Sequence, residues 1–214
     1  MPDWQKLVFQ LCLRYPEIGK QLKIDMNLKT LVTLLLALSL ANTSYAADVY
    51  GVDPEHTFVS FSYSHQNYSI QTSRFDNVSG SIVLDEATST GMIDMSIDMK
   101  SVSTGSAIFN KRIQEDDFFA TESFPVATFT SEKIAFNKEG ITSVQGILTI
   151  KGISKPVTID VKNLFCSRSL LTLQYTCGAN AVTRVNRSDF EMGKYVPFVG
   201  DEVMINIAIE ASKN

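Results

Sequence analysis

Apolar and polar residues alternate along most of the chain after about residue 50, which is the period of a β-strand with one buried face. Two such runs, 147–150 and 157–161, flank a polar centre that contains Gly152, Ser154 and Pro156. Glycine supplies turn conformations that other residues resist, and proline is excluded from the middle of a hydrogen-bonded ladder. The stretch 146–161 therefore predicts a β-hairpin rather than a helix.

The same alternation predicts further strands, broken by one polar stretch and one helical spacing. Residues 65–73 lack the period and are predicted to be a connection. Phe109 and Ile113 stand four apart behind Ser106, which predicts a short capped helix. The count is about eight antiparallel strands, and such strands form a sandwich or a closed barrel, whose interior is filled by side chains or holds one small ligand. The predicted strands are 50–52, 57–64, 74–84, 92–99, 126–131, 134–137, 141–150, 157–165, 178–186 and 202–211.

The segment 26–46 has the layout of a secretory signal peptide: a basic start, a leucine-rich run at 30–40 and the small-x-small site Ser44-Tyr45-Ala46. A membrane span is the alternative, but the run is shorter than the roughly 20 residues that a span requires. We therefore predict cleavage after Ala46 and export to the periplasm or beyond. Residues 1–25 are then an untranslated upstream stretch or an extended leader, with Met1 or Met26 as the start, and 47–214 form one domain.

Cleavage changes the charge and the cysteine count. It removes five of the 19 basic and three of the 23 acidic residues, and the remaining 14 and 20 give a net charge of −6. That charge disfavours nucleic acid or an anionic membrane surface as a partner. Cys166 and Cys177 remain, and an even pair in an exported chain favours a disulfide that closes the loop 167–176. No Cys-x-x-Cys motif points to redox catalysis.

The chain offers few residues for catalysis or metal binding. His56 and His65 stand nine apart on one extended segment, so they face opposite sides and make a poor metal pair. No zinc-protease, nucleophile-elbow or phosphate-loop motif occurs, and the run Glu115-Asp116-Asp117 reads as a solvated face. We predict no catalytic residue, metal or cofactor, while a Ser–His–Asp site assembled in space stays open.

Four segments resemble, in order, the motifs of the YceI-like family of bacterial periplasmic proteins. Two departures concern the rim: Glu191-Met192 stands where many relatives have Gly-Met, and the loop between Cys166 and Cys177 replaces a plainer turn. The matching segments are Tyr50-Gly51-Val52-Asp53 with His56-Thr57-Phe58-Val59, Ser64-His65 and Tyr68-Ser69; Asp117-Phe118-Phe119 with 124–131; 146–152 with Lys155-Pro156-Val157-Thr158; and Asn186-Arg187-Ser188-Asp189-Phe190.

The resemblance implies a closed eight-stranded antiparallel lipocalin-like barrel with one short helix and an apolar interior cavity for a polyisoprenoid chain. His65, Tyr68 and Arg187 are then candidates for the mouth that receives a head group. The residues alone leave other readings open: a solid core, a hydrogen-bonded loop histidine at His65, and an ion pair between Arg187 and Asp189. The in-phase residues expected to line the cavity are Val59, Phe61, Tyr63, Met95, Ile97, Met99, Phe129, Ile159, Val161 and Ile207.

The function expected from these observations is a non-enzymatic periplasmic carrier that sequesters a prenyl lipid or a quinone tail. Transient contact with a membrane or a membrane protein, and a homodimer, are compatible with it. Two alternatives stand beside it. One is a ligand-free interaction module that steadies a membrane redox partner under stress, and the other is a small hydrolase or isomerase whose active site is the cavity.

Overall fold

Residues 47–85 and 88–214 are the part of the chain that the computed structural model describes. The predictions for 1–25 and for the signal peptide 26–46 lie outside the described residues. Within them, no helix combines the length and the apolar character needed to cross a bilayer.

Eleven strand segments and one α-helix make up the described chain. The helix α1, Ala107–Ile113, begins where Ser106 Oγ accepts a hydrogen bond from the Phe109 amide, as predicted. Short 3-10 turns lie at Met99–Ser101 and Arg187–Phe190. The strands are β1 (Asp48–Val52), β2 (Phe58–His65), β3 (Ser69–Phe75), β4 (Val78–Asp85), β5 (Thr90–Asp98), β6 (Val102–Ser103), β7 (Val126–Asn137), β8 (Gly140–Ile150), β9 (Ile153–Arg168), β10 (Tyr175–Asn186) and β11 (Glu202–Lys213).

The eleven segments fill eight positions around one closed antiparallel barrel. Each position, called a stave here, holds one long strand or two short strands end to end. β1 and β2 follow each other along the same edge of β11, since Val52 pairs with Ala211 and Ser62 with Met204. β3 and β4 form the next stave, and β5 and β6 the third. β7 to β11 then pair in chain order, and the pairing of β1 with β11 closes the ring. The predicted eight-stranded barrel is confirmed, and the sandwich alternative is excluded.

The hairpin of β8 and β9 forms as predicted, with one correction. Lys151 and Gly152 both have positive φ, 54° and 74°, as a two-residue hairpin turn with the natural strand twist requires. However, Pro156 lies inside β9, opposite Ile147, where the sequence predicted a turn. The ladder tolerates it because β10 pairs with β9 only from Asp160 onward, so the missing N–H faces an open edge.

Residues 65–73 were predicted to be a connection, but most of β3 lies there. Its first four residues are exposed, and only Ser73 and Phe75 are buried. With solvent on both faces, no apolar alternation is needed, so the sequence carries no strand signal. A bend at Asp76 and Asn77 then separates β3 from β4 within the stave that had been predicted as one strand, 74–84.

The barrel has two unlike ends. The helix end is formed by α1, the β8–β9 turn and the segment 187–201; the disulfide end is formed by the β4–β5 and β7–β8 turns and the hairpin loop between β9 and β10. In the half next to the helix end, the rings of Phe61, Phe75 and Phe119 pack with centroids 5.3 to 5.8 Å apart, and Phe190 is only 1% exposed. Most of the hydrophobic core therefore lies in this half.

Candidate binding cavity

Inside the barrel lies an apolar cavity of about 850 Å³. Tyr175 and Val185, ten residues apart on β10, both line it, so it runs for roughly 30 Å along that tilted strand. The interior is therefore not a solid core. Among wall residues at the helix end, Tyr195 is the exposed one, whereas five are exposed at the disulfide end: Ser89, Asn137, Lys138, Glu139 and Tyr175. The cavity thus meets solvent mainly at the disulfide end.

All ten residues predicted to face the interior lie on the cavity wall. Three of them, Phe61, Met99 and Phe129, are also part of the packed core, and the others are half-buried, most of them packed against that core. The ten are Val59, Phe61, Tyr63, Met95, Ile97, Met99, Phe129, Ile159, Val161 and Ile207. This placement is compatible with contacts to an apolar ligand. Whether these residues contact a ligand stays a prediction, which a structure with bound ligand would test.

The wall also contains residues that the sequence did not single out. Ile82 and Leu84 on β4, Ile141 on β8 and Ala179 on β10 also face the cavity. The same two-residue alternation could have marked them as cavity residues. Gly146 shows why phase alone is insufficient on β8. A Cβ there would lie 2.7 Å from the ring of Phe129, so a ring from the neighbouring strand occupies the space of the missing side chain.

The polar groups buried in the wall are already satisfied within the protein. Thr183 Oγ1 donates to the Thr158 carbonyl at 2.8 Å, and Thr57 Oγ1 accepts from the Glu210 amide at 3.1 Å. Across residues 47–85 and 88–214, every buried side-chain nitrogen or oxygen has a hydrogen-bond partner. The fully buried part of the cavity wall therefore offers a ligand apolar contacts and no free polar group.

Arg187, predicted to lie at the mouth or to pair with Asp189, lines the cavity at the helix end and fixes the backbone of the segment 187–201. Its side chain is buried, and burial lowers the pKa of the guanidinium. No ion pair with Asp189 forms among the described residues, because the donors point to main-chain oxygens. Nε donates to the Gly200 carbonyl, Nη2 to that of Val199 and Nη1 to that of Lys194, each at 2.8 Å, and Nη1 also contacts the Met192 carbonyl.

The other two predicted mouth residues separate. His65 is half-buried and lines the cavity at the helix end. Tyr68 lies outside the cavity and is 85% exposed, because Gln66 and Asn67 adopt left-handed backbone conformations that turn the chain outward. Tyr63 lies beside His65 on the wall, and burial raises the pKa of its phenol. Neither the His65 nor the Tyr63 side chain forms a hydrogen bond within the part of the chain described.

Charged and aromatic contacts tie the helix end together. The Asp117 carboxylate accepts from Lys194 and, at 3.3 Å, from Arg112, and the bond to Lys194 lowers the pKa of Asp117. The Arg112 guanidinium lies 5.2 Å from the ring centroid of Phe118, which in turn packs on Tyr195. The acidic run that the sequence assigned to a solvated face therefore contributes a carboxylate to this network.

Two further groups complete the description, one at the opening of the cavity and one outside it. The predicted disulfide is present: Cys166 and Cys177 are joined directly across β9 and β10, at the disulfide end. Asp53, His56 and Glu210 are the group of potential metal ligands found among the described residues, with donor atoms within 4.8 Å of one another. They lie on the outer surface, where His56 Nδ1 bonds Asp53 at 2.8 Å, so they do not belong to the cavity.

Comparison with known proteins identifies the family. A model of the YceI-like domain matches residues 50–211. A UPF0312 protein of Yersinia enterocolitica is 32% identical over 193 residues, which cover 85% of this chain and 96% of the relative.

Solved structures share the barrel. The crystal structure of BcnA from Burkholderia cenocepacia is 28% identical, with a TM-score of 0.64, over 74% of this chain and 98% of that one. A polyisoprenoid-binding domain from Saccharophagus degradans is 20% identical, with a TM-score of 0.58, over 77% and 98%. At that identity the second likeness shows the fold alone. The family match, the relative and the closed barrel together place this chain in the YceI-like domain family.

Proposed function

We propose that the protein is a carrier that holds the hydrocarbon tail of a polyisoprenoid lipid, such as a prenyl lipid or a quinone, inside the barrel. The observation that carries the proposal is the long apolar cavity of about 850 Å³. Binding sites for small molecules enclose about 300–1,000 Å³, so the cavity is large enough for an extended ligand. Its length along β10 favours a linear chain over a compact molecule.

The energetics favour recognition of the tail. Each buried methylene contributes about 0.8 kcal/mol, whereas a typical hydrogen bond nets about 1 kcal/mol. A few prenyl units therefore outweigh any single polar contact. Near the helix end a ligand would meet the side chains of Tyr63 and His65, which form no hydrogen bond within the described chain.

Two further observations support the proposal without deciding it. One structural neighbour is a polyisoprenoid-binding domain in its own right, although its likeness to this chain extends only to the fold. The segment 26–46 reads as a secretory signal peptide, so we propose the periplasm as the compartment in which the carrier works. The described residues supply a binding cavity, and we assign no catalytic role to them.

Native mass spectrometry of the protein purified from its own host, followed by solvent extraction, tests the proposal. A co-purifying prenyl mass is the expected result. A clean apo mass, together with no uptake of added quinone or polyprenyl lipid, would contradict it and favour the interaction module. Chemical conversion of the lipid that is lost in His65→Ala would instead favour an enzyme.

A matched pair of variants on β5 tests which face holds the ligand. Ile97 faces the cavity and its neighbour Ser96 is exposed on the outside. Ile97→Glu is expected to abolish lipid uptake, because an ionised carboxylate is strongly disfavoured in apolar surroundings, while Ser96→Glu should load normally. Uptake is measured by mass spectrometry after circular dichroism has shown that both variants fold. A folded Ile97→Glu protein that loads lipid like the wild type would show that this face does not hold the tail.

A further inference from the structure

The hairpin loop between Cys166 and Cys177 presents an unusual apolar surface at the disulfide end. Leu170 and Leu171, at its tip, are 95% and 96% exposed, and Leu173 is 65% exposed. We call these three leucines the leucine tip. Phe165 and Tyr175 stand exposed at the base of the same loop. Such a group of large apolar side chains, with almost no protein contact, calls for an apolar partner.

Four backbone amides of this loop already have partners within it. The Ser169 hydroxyl accepts from the amides of Leu171 and Thr172, both at 3.3 Å. The Leu173 amide donates to the Ser169 carbonyl at 3.0 Å, and the Gln174 amide to the Thr172 hydroxyl at 3.4 Å. Peptide groups that enter a lipid phase unpaired are costly, and these four amides would not be unpaired. The disulfide holds the loop in this conformation at its base.

The charge pattern fits phospholipid head groups. Arg168 is the one charged residue between Asn163 and Gly178, in a mature chain whose net charge is −6. It donates to the Leu173 carbonyl at 3.2 Å, which leaves other guanidinium donors for a lipid phosphate. Tyr175 and Phe165 lie at the level of the loop base, where aromatic rings accumulate at membrane interfaces. No carboxylate lies in this stretch to repel phosphate.

We propose that the leucine tip inserts into the interfacial layer of a phospholipid bilayer and thereby sets the disulfide end of the cavity on the membrane. Cys166, Tyr175 and Cys177 line the cavity, so the loop and the opening share residues. A lipid could then pass between bilayer and cavity without crossing water. A second copy of the chain fits less well as the occupant, because three side chains cover far less than the about 800 Å² that each partner buries in a stable interface. This inference rests on the proposed carrier function.

Vesicle flotation with neutral phosphatidylcholine–phosphatidylethanolamine vesicles tests the insertion. A variant with Leu170→Ser, Leu171→Ser and Leu173→Ser is expected to bind at least tenfold more weakly than the wild type, since interfacial binding scales with buried apolar area. Ile108→Ser is the matched control: Ile108 is 84% exposed, but lies on α1 at the opposite end. The Ile108→Ser protein has the same N-terminal segment as the triple variant, so that segment cannot cause a difference between them. It should bind vesicles like the wild type. Equal binding of the triple variant, or loss in Ile108→Ser instead, would overturn the proposal.

Lipid loading from two sources separates this inference from the carrier function. Loading from prenyl-lipid vesicles should fall at least tenfold in the triple variant, whereas loading from detergent-dispersed prenyl lipid should be unchanged, because the cavity is intact. Wild-type loading from detergent, combined with vesicle loading that is unaffected by the triple substitution, would reject the membrane anchor and keep the carrier. Failure of the wild type to load from either source would reject the carrier itself. A dimer that only the triple variant loses, without vesicle binding, would identify a second copy as the occupant.

Discussion

At the helix end, aromatic rings, a buried arginine and a network of ion pairs fill and tie the barrel, whereas at the disulfide end inward side chains of the same strands face open volume. Leu148 and Leu164, on neighbouring strands, both line the cavity but differ in packing: Leu148 is 7% exposed and belongs to the hydrophobic core, whereas Leu164 is half-buried and lies outside that core. One sheet thus carries both a core and a cavity. We infer that the packed half supplies the stability that allows the other half to remain open.

The two ends also meet solvent in different ways. At the helix end, Lys194, Arg112 and Asp117 pair across the segments that cover the barrel. At the disulfide end, the hairpin loop is held by a covalent bond and its own hydrogen bonds, and its leucines reach outward. One end tied by ion pairs and one open end with an exposed apolar loop are what the proposed carrier, with a single mouth, would require. Variants at each end can test that division.

The largest effect is expected for Arg187→Met at the helix end. The substitution keeps an unbranched chain but leaves the four main-chain oxygens at Met192, Lys194, Val199 and Gly200 without their donor. Because buried groups without partners cost about 1–3 kcal/mol each and solvent can reach some of them, we expect a loss of about 4 kcal/mol in the free energy of unfolding. Urea denaturation measures it. Arg187→Lys, which keeps the charge but not the planar fork, should lose less; a loss below about 1 kcal/mol in Arg187→Met would show that the contacts are dispensable.

Removal of the disulfide is expected to have the next largest effect, and a local one. In the chain-entropy model, closing a loop this short stabilises the fold by about 3 kcal/mol, so Cys166→Ala with Cys177→Ala should lose about that amount. Hydrogen exchange should accelerate in β9 and β10 near the loop and stay unchanged in the segment 187–201. Faster exchange at both ends would contradict the independence of the two regions.

A matched pair of leucines tests the packing difference directly. Leu148→Ala removes atoms from the core and should cost about 3 kcal/mol, because a cavity opens in packed surroundings. Leu164→Ala removes a half-buried side chain that lies outside that core, so the loss should be smaller by about 2 kcal/mol. Urea denaturation of ligand-free protein measures both. Equal losses would mean that the disulfide end is as tightly packed as the helix end.

The alternation along each strand could predict which residues line the interior, but not that the interior contains a cavity. Alternation marked Met95, Ile97 and Ile159 as sharing a face, and all three lie on the cavity wall. Whether that wall encloses a void depends on the summed side-chain volumes and on barrel closure, which no single strand reveals. The partners of Arg187 are main-chain oxygens of an irregular segment, so no periodicity points to them. The resemblance to a family supplied the prediction of a barrel and of the class of ligand expected in it.

The sequence shows the three residues of the leucine tip but not their exposure. Leu170, Leu171 and Leu173 are apolar, but in a loop closed by a disulfide such residues are usually expected to pack against the protein. Only the exposure of these side chains, together with the hydrogen bonds of the Leu171 and Leu173 amides, distinguishes the proposed anchor from buried loop packing. β3 carried no signal at all, because the alternation of a strand is imposed by a buried face that its first half lacks.

The smallest effect is expected where the first stave bends between the two halves, at Asp53 and His56. Their hydrogen bond lowers the pKa of Asp53 from its ordinary 3.8 and raises that of His56 from 6.5. The His56 contribution to stability is fully present below pH 6.5 and is lost as the pH rises through the folded pKa. The Asp53 contribution is present above pH 3.8 and is lost as the pH falls through its own lowered value. The pair should therefore stabilise the fold most between about pH 4 and 6.5.

Histidine NMR measures this effect, because the chain has only two histidines, His56 and His65. The folded pKa of His56 should lie above 6.5 in the wild type and fall back towards it in Asp53→Asn, in which the carboxylate is absent. Since His56 is fully exposed, salt should weaken the shift as well. Lipid loading should be indifferent to Asp53→Asn, because neither residue lines the cavity. If Asp53→Asn changed lipid loading while the fold stayed the same, the Asp53–His56 bend on the outer surface would be coupled to the cavity. The surface and the cavity could then not be treated as independent.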